Sequence, residues 1–414
     1  MFDKYERFDM KMKPKLPKLR VLSALLALPP VLSHKGKIRK VNMGGIKPPY
    51  LLLGNHNAFM DINVLSLATF PHLQHYIIAI DGFIGREGLL RHIGGICKRK
   101  FTQDFELIKQ IKYAIDKKRI VAMFPEARYS LIGTKAIIPL SVARLCKYLD
   151  VPVVMLRMHG HHINSPFWNL TDRKVQGIEA ELLPLFTKEE LESVTLEEVD
   201  QKIQDEFQYD EYEWQKRKHK EVTYEGRAEG LHKVLYKCPH CGTEYRMNSK
   251  GTKLFCEACG KVWDYSTLGE LKAEEGETEF PHIPDWYEWE RDEVRKEVEA
   301  GTYHFEGEVH VDMLPSAKKF IPIGKAYLIH DMEGFRLEGD FEGEHYLVNL
   351  PAKDHYGVHI EYEYLGKFGD CVDLNTLDNT YYVYPEGKDF AVTKFSLATE
   401  ELFKYYTAKN TIKK

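Results

Sequence analysis

The sequence contains no apolar run of the roughly 20 residues that a membrane-spanning helix needs. An apolar stretch near the N-terminus, residues 21–33, includes Pro29 and Pro30 and lacks the small-residue cleavage site of a secretory signal. Lysine and arginine are frequent on both sides of it. A short apolar segment between basic residues is typical of a helix that lies in the membrane interface. We therefore expect residues 1–34 to contact a lipid surface without crossing it.

Neither sign of charge dominates, because 58 basic residues are balanced by 62 acidic ones and the net charge is −4. This balance gives no electrostatic reason to expect a nucleic-acid partner, and we predict none.

Cysteine is scarce, with seven residues in the chain, and four of them form two Cys-x-x-Cys pairs. An odd number in this pattern favours a metal site in a reducing compartment over a disulfide framework. The others, Cys97, Cys146 and Cys371, are expected to be buried thiols.

At 414 residues, with 43% hydrophobic content, the chain is long enough for more than one folded core. Changes of pattern along the sequence divide it into segments. We predict the interface segment (1–34), an α/β domain (35–186), a charged helical connector (187–232), a cysteine module (233–268), an acidic linker and helix (269–301), and an antiparallel β domain ending in a helix (302–414).

Two hydrophobic patterns determine the predicted fold class. Between residues 35 and 186, short apolar runs alternate with helical patterns, which indicates an α/β fold with helices layered on a sheet. After residue 302 the apolar residues alternate with period two, and turn residues separate the runs. This second pattern predicts antiparallel all-β structure. Several strands closed by one C-terminal helix would suit a pleckstrin-homology-like barrel.

The sequence His56-x4-Asp61 directly follows the first predicted strand of the α/β domain. Five residues on a regular helix would leave two side chains roughly 140° apart. His56 and Asp61 can therefore meet only if His56 lies in the turn before a helix and Asp61 lies in its first turn, with Asn55 or Asn57 as the N-cap. In that geometry the carboxylate orients the imidazole and leaves its other nitrogen free to act as a base.

Three further segments follow in a fixed order. They are Gly94-Gly95-Ile96-Cys97-Lys98-Arg99-Lys100, then Phe124-Pro125-Glu126-Ala127-Arg128-Tyr129-Ser130, and finally Val151-Pro152-Val153-Val154-Met155. Together with the His-x4-Asp block they resemble the four motifs of the glycerolipid acyltransferase family that includes lysophosphatidic acid acyltransferases. The third segment departs from the family pattern, because Ala127 replaces a glycine and the arginine comes one position early, at Arg128, with Tyr129 in its usual place.

The resemblance implies that residues 35–186 form an acyltransferase domain in which His56 is the general base and Asp61 orients it. It also implies substrate-binding roles for Arg99, Lys100, Glu126 and Arg128, in which Arg128 together with either Arg99 or Lys100 forms the clamp on an acceptor phosphate. The acyl donor would be a thioester on coenzyme A or acyl carrier protein. The acceptor would be the free hydroxyl of lysophosphatidic acid, and the product phosphatidic acid.

With this function, we expect the protein to be cytoplasmic and peripherally bound to anionic lipid on the inner face of the cell membrane. Two alternatives stay open from the sequence. One is an acyltransferase that acts on another lysophospholipid or on a glycerol phosphate. The other is a non-catalytic adaptor that binds membrane or protein, in which the cysteine module and the β domain are the working parts. The altered third motif favours the adaptor, and the intact His56 and Asp61 oppose it.

The cysteine module has the spacing of a zinc ribbon: Cys238 and Cys241 form one pair, and Cys256 and Cys259 form the second after fourteen residues. Four thiolates complete a tetrahedral shell, so the sequence predicts a structural Zn²⁺ ion in residues 233–268. The run His159-Gly160-His161-His162 also contains metal-binding residue types. We interpret it as a polar loop after the fourth motif.

Overall fold

The structure is a computed structural model and describes residues 2–412. The chain forms two compact units. The N-terminal unit consists of Asp9–Lys98 and Asp104–Val222. The C-terminal unit consists of residues 2–8, Arg99–Gln103 and residues 223–412. The chain therefore passes into the C-terminal unit at Arg99 and back into the N-terminal unit at Asp104.

A mixed sheet forms the centre of the N-terminal unit. Its strands are β1 (Lys37–Lys40), β2 (Leu51–Gly54), β3 (Gln74–Ala79), β4 (Gly95–Lys98), β5 (Ile120–Met123), β6 (Val153–His159) and β7 (Glu179–Phe186). They are arranged in the order β1-β7-β6-β2-β5-β3-β4. The strands from β6 to β4 in this order run parallel to one another, β7 is antiparallel to β6, and β1 is parallel to β7.

Helices cover both faces of this sheet. They are α1 (Arg20–Ser33), α2 (Met60–Ala68), α3 (Glu87–Ile93), α4 (Phe105–Asp116), α5 (Ser141–Leu149), α6 (His161–Asn164), α7 (Lys188–Ser193), α8 (Leu196–Glu206) and α9 (Glu211–Arg217). A 3₁₀ turn spans Ile80–Phe83. The side chains of β2 show how the layers form: Leu51 and Leu53 pack with residues of α4 and α5, whereas Leu52 packs with residues of α2 on the opposite face.

The charged segment 187–232 contributes buried residues to the N-terminal unit. The charge pattern predicts a solvated connector, and the glutamates of α7 and α8 do begin both helices through capping boxes at Thr187 and Thr195. However, Val199 and Ile203 of α8 are fully buried in the same core cluster as Leu51. The charged residues therefore cover only the outer side of helices whose inner side packs on the α/β layer.

Helix α1 exposes an apolar surface. Ala24, Ala27 and Val31 face the interior of the unit, whereas the large apolar side chains on the other side are exposed: Val21, Leu22, Leu25, Leu26, Leu28 and Leu32. Buried Arg20 attaches the start of the helix to the end of α2, since its guanidinium donates to the Ser66 and His72 carbonyls at 2.6 and 2.8 Å. Among residues 2–412, no helix is both long and apolar enough to cross a membrane.

The C-terminal unit contains two antiparallel sheets. Its helices are α10 (Leu231–Val234), α11 (Ile283–Ala300) and α12 (Val392–Ile412), with 3₁₀ turns at Phe2–Lys4, Ala352–Asp354 and Tyr364–Gly366. Its strands are β8 (Met247–Lys250), β9 (Lys253–Cys256), β10 (Val262–Tyr265), β11 (Leu271–Ala273), β12 (His304–Met313), β13 (Ile321–Asp331), β14 (Gly334–Phe341), β15 (Glu344–Pro351), β16 (His359–Glu361), β17 (Cys371–Asn375) and β18 (Thr380–Pro385).

The small sheet has the order β11-β10-β9-β8 and contains the cysteine module. The larger sheet has the order β15-β14-β13-β12-β18-β17-β16, and all its pairings are antiparallel. The mixed α/β sheet and the antiparallel β sheets confirm the predicted fold class at that level, while the pleckstrin-homology-like barrel stays a prediction. The sequence pattern predicts the C-terminal helix over residues 399–409. Helix α12 begins seven residues earlier, at Val392, and Val392 and Phe395 near its start are buried.

Candidate functional site

The candidate site lies at the carboxyl ends of three neighbouring strands. β2 is hydrogen-bonded to β6 on one side and to β5 on the other, and the three strands are parallel. His56 follows β2, Glu126 follows β5 and His161 follows β6. Side chains from such positions converge at one edge of a parallel sheet, which is where open α/β sheets bind their ligands.

His56 and Asp61 are in contact. The Nδ1 atom of His56 lies 2.8 Å from Oδ2 of Asp61. His56 occupies the turn after β2, and Asp61 is the second residue of α2. This is the arrangement that the five-residue spacing requires. Because Nδ1 faces the carboxylate, Nε2 on the opposite side of the ring is the nitrogen available for proton transfer.

The N-cap position of α2 is Phe59, not Asn55 or Asn57 as the sequence predicted, and Asp61 binds the turn before it. Its Oδ2 accepts hydrogen bonds from the backbone amides of Asn57 and Ala58, at 2.6 and 3.1 Å. Asn55 was expected as a cap, but its side chain exchanges two 2.8 Å hydrogen bonds with the backbone of Met158 on β6. Asn55 therefore connects the end of β2 to the neighbouring strand, and Asp61 satisfies the amides that precede α2.

A second imidazole binds the same carboxylate. Nδ1 of His161 hydrogen-bonds to Oδ1 of Asp61, and both side chains are fully buried. Burial by itself would raise the pKa of Asp61, but the hydrogen bonds with His161 and His56 lower that pKa to about 2. Asp61 is therefore a carboxylate over the whole physiological pH range.

The position of His161 shows that the polar-loop interpretation of residues 159–162 is wrong. His161 and His162 begin the short helix α6, and each is 1% exposed. The fourth motif does form a strand, and that strand, β6, pairs with β2. The position of His161 directly after the strand of the fourth motif is a sequence signal for this contact. If β2 and β6 are assumed to be parallel neighbours, the residues that follow them, His56 and His161, must lie close together.

Aromatic rings enclose the imidazole of His56. The ring of Phe124 stacks on it with the centroids 4.0 Å apart and the planes 3° from parallel. The ring of Tyr129 packs against it with a centroid distance of 4.3 Å and the planes 44° apart. The backbone amide of Ser130 donates to the His56 carbonyl at 2.7 Å. The third motif therefore holds His56 through both its side chain and its backbone.

Glu126 binds the backbone of the same turn. Its Oε1 accepts from the His56 amide at 3.2 Å, and its Oε2 accepts from the Ala136 amide at 2.8 Å. The hydroxyl of Tyr209, which sequence reasoning did not single out, lies 3.3 Å from Oε2. Burial raises the pKa of Glu126 to about 7, although these hydrogen bonds and the charge of Arg128 act in the opposite direction. Glu126 is thus a buried carboxyl that titrates near neutral pH.

Arg128 belongs to the same group of residues. It is 5% exposed, and its positive charge acts on Glu126. Ala127, which lies between Glu126 and Arg128 in the sequence, adopts the left-handed backbone conformation with φ of 57°. The turn therefore uses a conformation for which glycine is the ordinary choice.

The structure assigns Arg99 and Lys100 to the C-terminal unit. The guanidinium of Arg99 is buried and donates to protein acceptors of that unit: the carbonyls of Leu314, Pro315 and Asp378 and the hydroxyl of Thr380, at 2.7–3.1 Å. Lys100 lies 3.8 Å from the Glu361 carboxylate. His56, Asp61, Glu126 and Arg128 are thus brought together in the N-terminal unit, and the second motif divides after Lys98.

The four predicted cysteines converge in the C-terminal unit. Their sulfur atoms all lie within 4.8 Å of one another. The pairs Cys238–Cys259 and Cys241–Cys256 are each separated by 3.8 Å. That separation is far longer than a disulfide bond. It is the edge, about 3.8 Å, of a tetrahedron whose centre is about 2.3 Å from each sulfur, the usual zinc–sulfur distance. The four thiols are close enough to hold one metal ion.

No family model matches the sequence, and none of the curated proteins matches it. Among solved structures, the chain is similar to the 1-acyl-sn-glycerophosphate (LPA) acyltransferase PlsC from Thermotoga maritima. The two are 14% identical, the match covers 46% of this chain and 78% of that chain, and the TM-score is 0.35. At this TM-score the similarity supports no conclusion about activity.

Proposed function

We propose that this protein is an O-acyltransferase that moves a fatty acyl group from a thioester to the free hydroxyl of a lysophospholipid. The observation that carries the proposal is the pair His56–Asp61: an imidazole bound through Nδ1 to a buried carboxylate, with Nε2 left for proton transfer, at the carboxyl ends of parallel strands. The ordered resemblance of four sequence segments to the glycerolipid acyltransferases supports the choice of reaction.

A hydroxyl is a weak nucleophile at neutral pH and needs a positioned base. In the proposed reaction, Nε2 of His56 removes the hydroxyl proton while the hydroxyl oxygen attacks the thioester carbonyl carbon. The new ester C–O bond forms, the C–S bond breaks, and the proton on Nε2 passes to the leaving thiolate. Asp61 stabilises the imidazolium that exists between these steps.

The acceptor would carry a phosphate, and Arg128 is the candidate to bind it in the N-terminal unit. A guanidinium suits phosphate because its fixed N–H donors can pair with two oxygens. Arg99 would have to exchange its protein acceptors for phosphate to take the same role, and the roles of Arg99 and Lys100 stay predictions. We favour lysophosphatidic acid as acceptor and coenzyme A or acyl carrier protein as the carrier of the thioester.

The exposed leucines of α1 support a site of action at a membrane. A water-soluble surface rarely presents so many large apolar side chains on one helix. The flanking residues Lys15, Lys18 and Lys35 are exposed as well. We propose that α1 lies in the interface of an anionic membrane on its cytoplasmic face, with leucines among the acyl chains and lysines at the headgroups.

We also propose that Cys238, Cys241, Cys256 and Cys259 bind a structural Zn²⁺ ion. A shell of four thiolates leaves no position for substrate, so the ion would stabilise the C-terminal unit and take no part in acyl transfer.

An assay of the purified protein with lysophosphatidic acid and an acyl thioester tests the function, with phosphatidic acid as the readout. We expect His56→Ala to lower turnover by about 10²–10⁴-fold, because the general base is lost. His72→Ala removes an exposed imidazole of the same unit and serves as the control. Equal activity of wild type and His56→Ala would contradict the proposal, and a panel of other lysophospholipids and glycerol phosphate identifies the acceptor.

A further inference from the structure

The proposed reaction uses one imidazole of the site, yet the structure contains a second one that shares the same carboxylate. His56 is bound to Oδ2 of Asp61, and His161 is bound to Oδ1. The side chain of His161 is completely buried, so it is not placed to receive substrate from solvent. Its Nε2 has no hydrogen-bond partner in the part of the chain that the structure describes. The contact with Asp61 is therefore the polar interaction that accounts for the position of His161.

The turn after β6 holds His161 firmly. Gly160 has φ of 88°, and its amide donates to Oε2 of buried Glu211 at 2.7 Å. The side-chain amide of Asn164 donates to the Gly160 carbonyl at 3.1 Å. The ring of Trp214 lies 3.0 Å from the point where a Cβ atom on Gly160 would be. Because backbone, ring and carboxylate all fix this turn, the imidazole of His161 is presented to Asp61 in one orientation.

A carboxylate rotates about its Cβ–Cγ bond, and a buried one is costly unless its oxygens have donors. Oδ2 of Asp61 has three donors: Nδ1 of His56 and the amides of Asn57 and Ala58. Oδ1 has His161. Without His161, Oδ1 would be left buried against the carbon atoms of a substituted side chain. The carboxylate would then rotate, or its charge would act more strongly on His56.

We propose that His161 is a positioning residue for His56: it binds Oδ1 of Asp61, and thereby fixes the plane and the charge distribution of the carboxylate that orients the base. This inference rests on the proposed role of His56 as general base. The titratable or charged groups near His56, Asp61 and His161 are Glu126, Arg128 and Tyr129 after β5, His159 at the end of β6, His162 in α6, Tyr209 before α9 and Glu211 at its start.

Two substitutions at His161 separate the hydrogen bond from the volume. In His161→Asn, the side-chain amide nitrogen takes nearly the position of Nδ1 and can still donate to Oδ1. His161→Leu fills similar space and donates nothing. His162→Asn is the matched control, because His162 is equally buried and adjacent in sequence but faces the hydroxyl of Tyr212 at 3.3 Å.

We expect His161→Leu to lower kcat by about 10- to 100-fold with little change in either KM, since misorientation of a catalytic group costs rates of that size. The acidic limb of the pH–rate profile should move up by about half a pH unit or more, because a carboxylate with one donor fewer favours the protonated form of His56. His161→Asn should keep kcat within about threefold of wild type and keep the limb in place, since it retains the donor. His162→Asn should leave the limb unchanged.

Imidazole ¹⁵N NMR of the wild-type protein gives a readout that needs neither substrate nor a variant. The inference requires His161 to carry its proton on Nδ1 at neutral pH, because Asp61 is a carboxylate there. A proton on Nε2 alone would overturn it, as would a His161→Leu enzyme whose kcat and pH profile equal those of wild type. The two proposals can fail separately. If the wild-type protein shows no acyl transfer, the acyltransferase proposal fails. If His161→Leu nevertheless raises the NMR titration midpoint of His56, the inference that His161 positions His56 through Asp61 stands.

Discussion

At the scale of single residues, the burial of Glu126 has a consequence for stability. Its pKa rises from about 4.5 in the unfolded chain to about 7 in the folded protein. Between these values the unfolded chain releases the proton and the folded protein retains it. Stability must therefore fall as the pH rises through this window, by an amount on the order of 3 kcal/mol for a shift of this size.

Glu126→Gln tests this consequence, because glutamine resembles the protonated carboxyl and does not titrate. We expect the unfolding free energy of wild type, measured relative to Glu126→Gln in urea, to decrease between about pH 4.5 and pH 7. Other ionisable groups cancel in the difference. A difference that is independent of pH, or that increases, would show that Glu126 has an ordinary pKa.

Ala127 is a second residue whose backbone carries a cost. An L-residue at φ of 57° is strained, and replacement of alanine by glycine at such a position is expected to stabilise a protein by about 1 kcal/mol. We expect Ala127→Gly to raise the unfolding free energy. Ala122→Gly, in the middle of strand β5, should lower it by about 1 kcal/mol. The prediction is wrong if the two substitutions change stability in the same direction.

At the scale of one element, the proposed contact of helix α1 with lipid can be tested by substitution. Removal of residues 1–33 would be a poor test, because Arg20, Ala24, Ala27 and Val31 are buried and the truncated unit would lose part of its core. Substitution of exposed leucines keeps these contacts. We expect Leu25→Ser combined with Leu26→Ser to weaken binding to anionic liposomes by at least about tenfold, from the lost apolar burial alone.

The control combines Leu347→Ser with Leu377→Ser, since these leucines are also exposed but lie in the C-terminal unit. Sedimentation with liposomes of increasing anionic content, at low and high salt, measures both variants. Equal binding of wild type and the α1 variant would exclude α1 as the membrane contact. Equal loss in both variants would show that the effect is not specific to α1.

At the scale of the whole molecule, the four cysteines that would bind the proposed zinc ion all belong to the C-terminal unit. We expect one zinc atom per chain in protein purified without added metal, and we expect none in Cys256→Ser. Because a structural zinc contributes directly to folding, its removal by a chelator should increase hydrogen exchange in residues 223–412. Exchange around His56, in the N-terminal unit, should change little.

Absence of zinc, or iron in a coloured protein, would contradict the metal assignment. An increase in exchange around His56 as large as that around the cysteines would show that the ion stabilises both units together. Substitution of Cys146→Ser, a buried thiol outside the cysteine module, provides the control for loss of a cysteine as such.

The sequence by itself determined those features that depend on local spacing. The five-residue separation of His56 and Asp61 permitted one geometry for their contact, a histidine in the turn and an aspartate in the first turn of the helix, and the structure has it. The spacing of the two Cys-x-x-Cys pairs placed four thiols at one point. Periods of hydrophobicity gave the α/β and antiparallel patterns, because the position of an apolar side chain on a helix or strand follows from its place in the chain.

Only the tertiary structure decided how distant segments combine. His161 is one hundred residues from Asp61, and its contact depends on β6 pairing with β2, which no local pattern specifies. The same holds for Arg99: its phosphate-binding role stays a prediction, and its guanidinium donates to the carbonyls of Leu314 and Pro315, 215 and 216 residues further along the chain. The same side chain, such as arginine or histidine, can bind a substrate or can hydrogen-bond to other groups of the protein. Which of these it does depends on the partners that folding brings within about 3 Å.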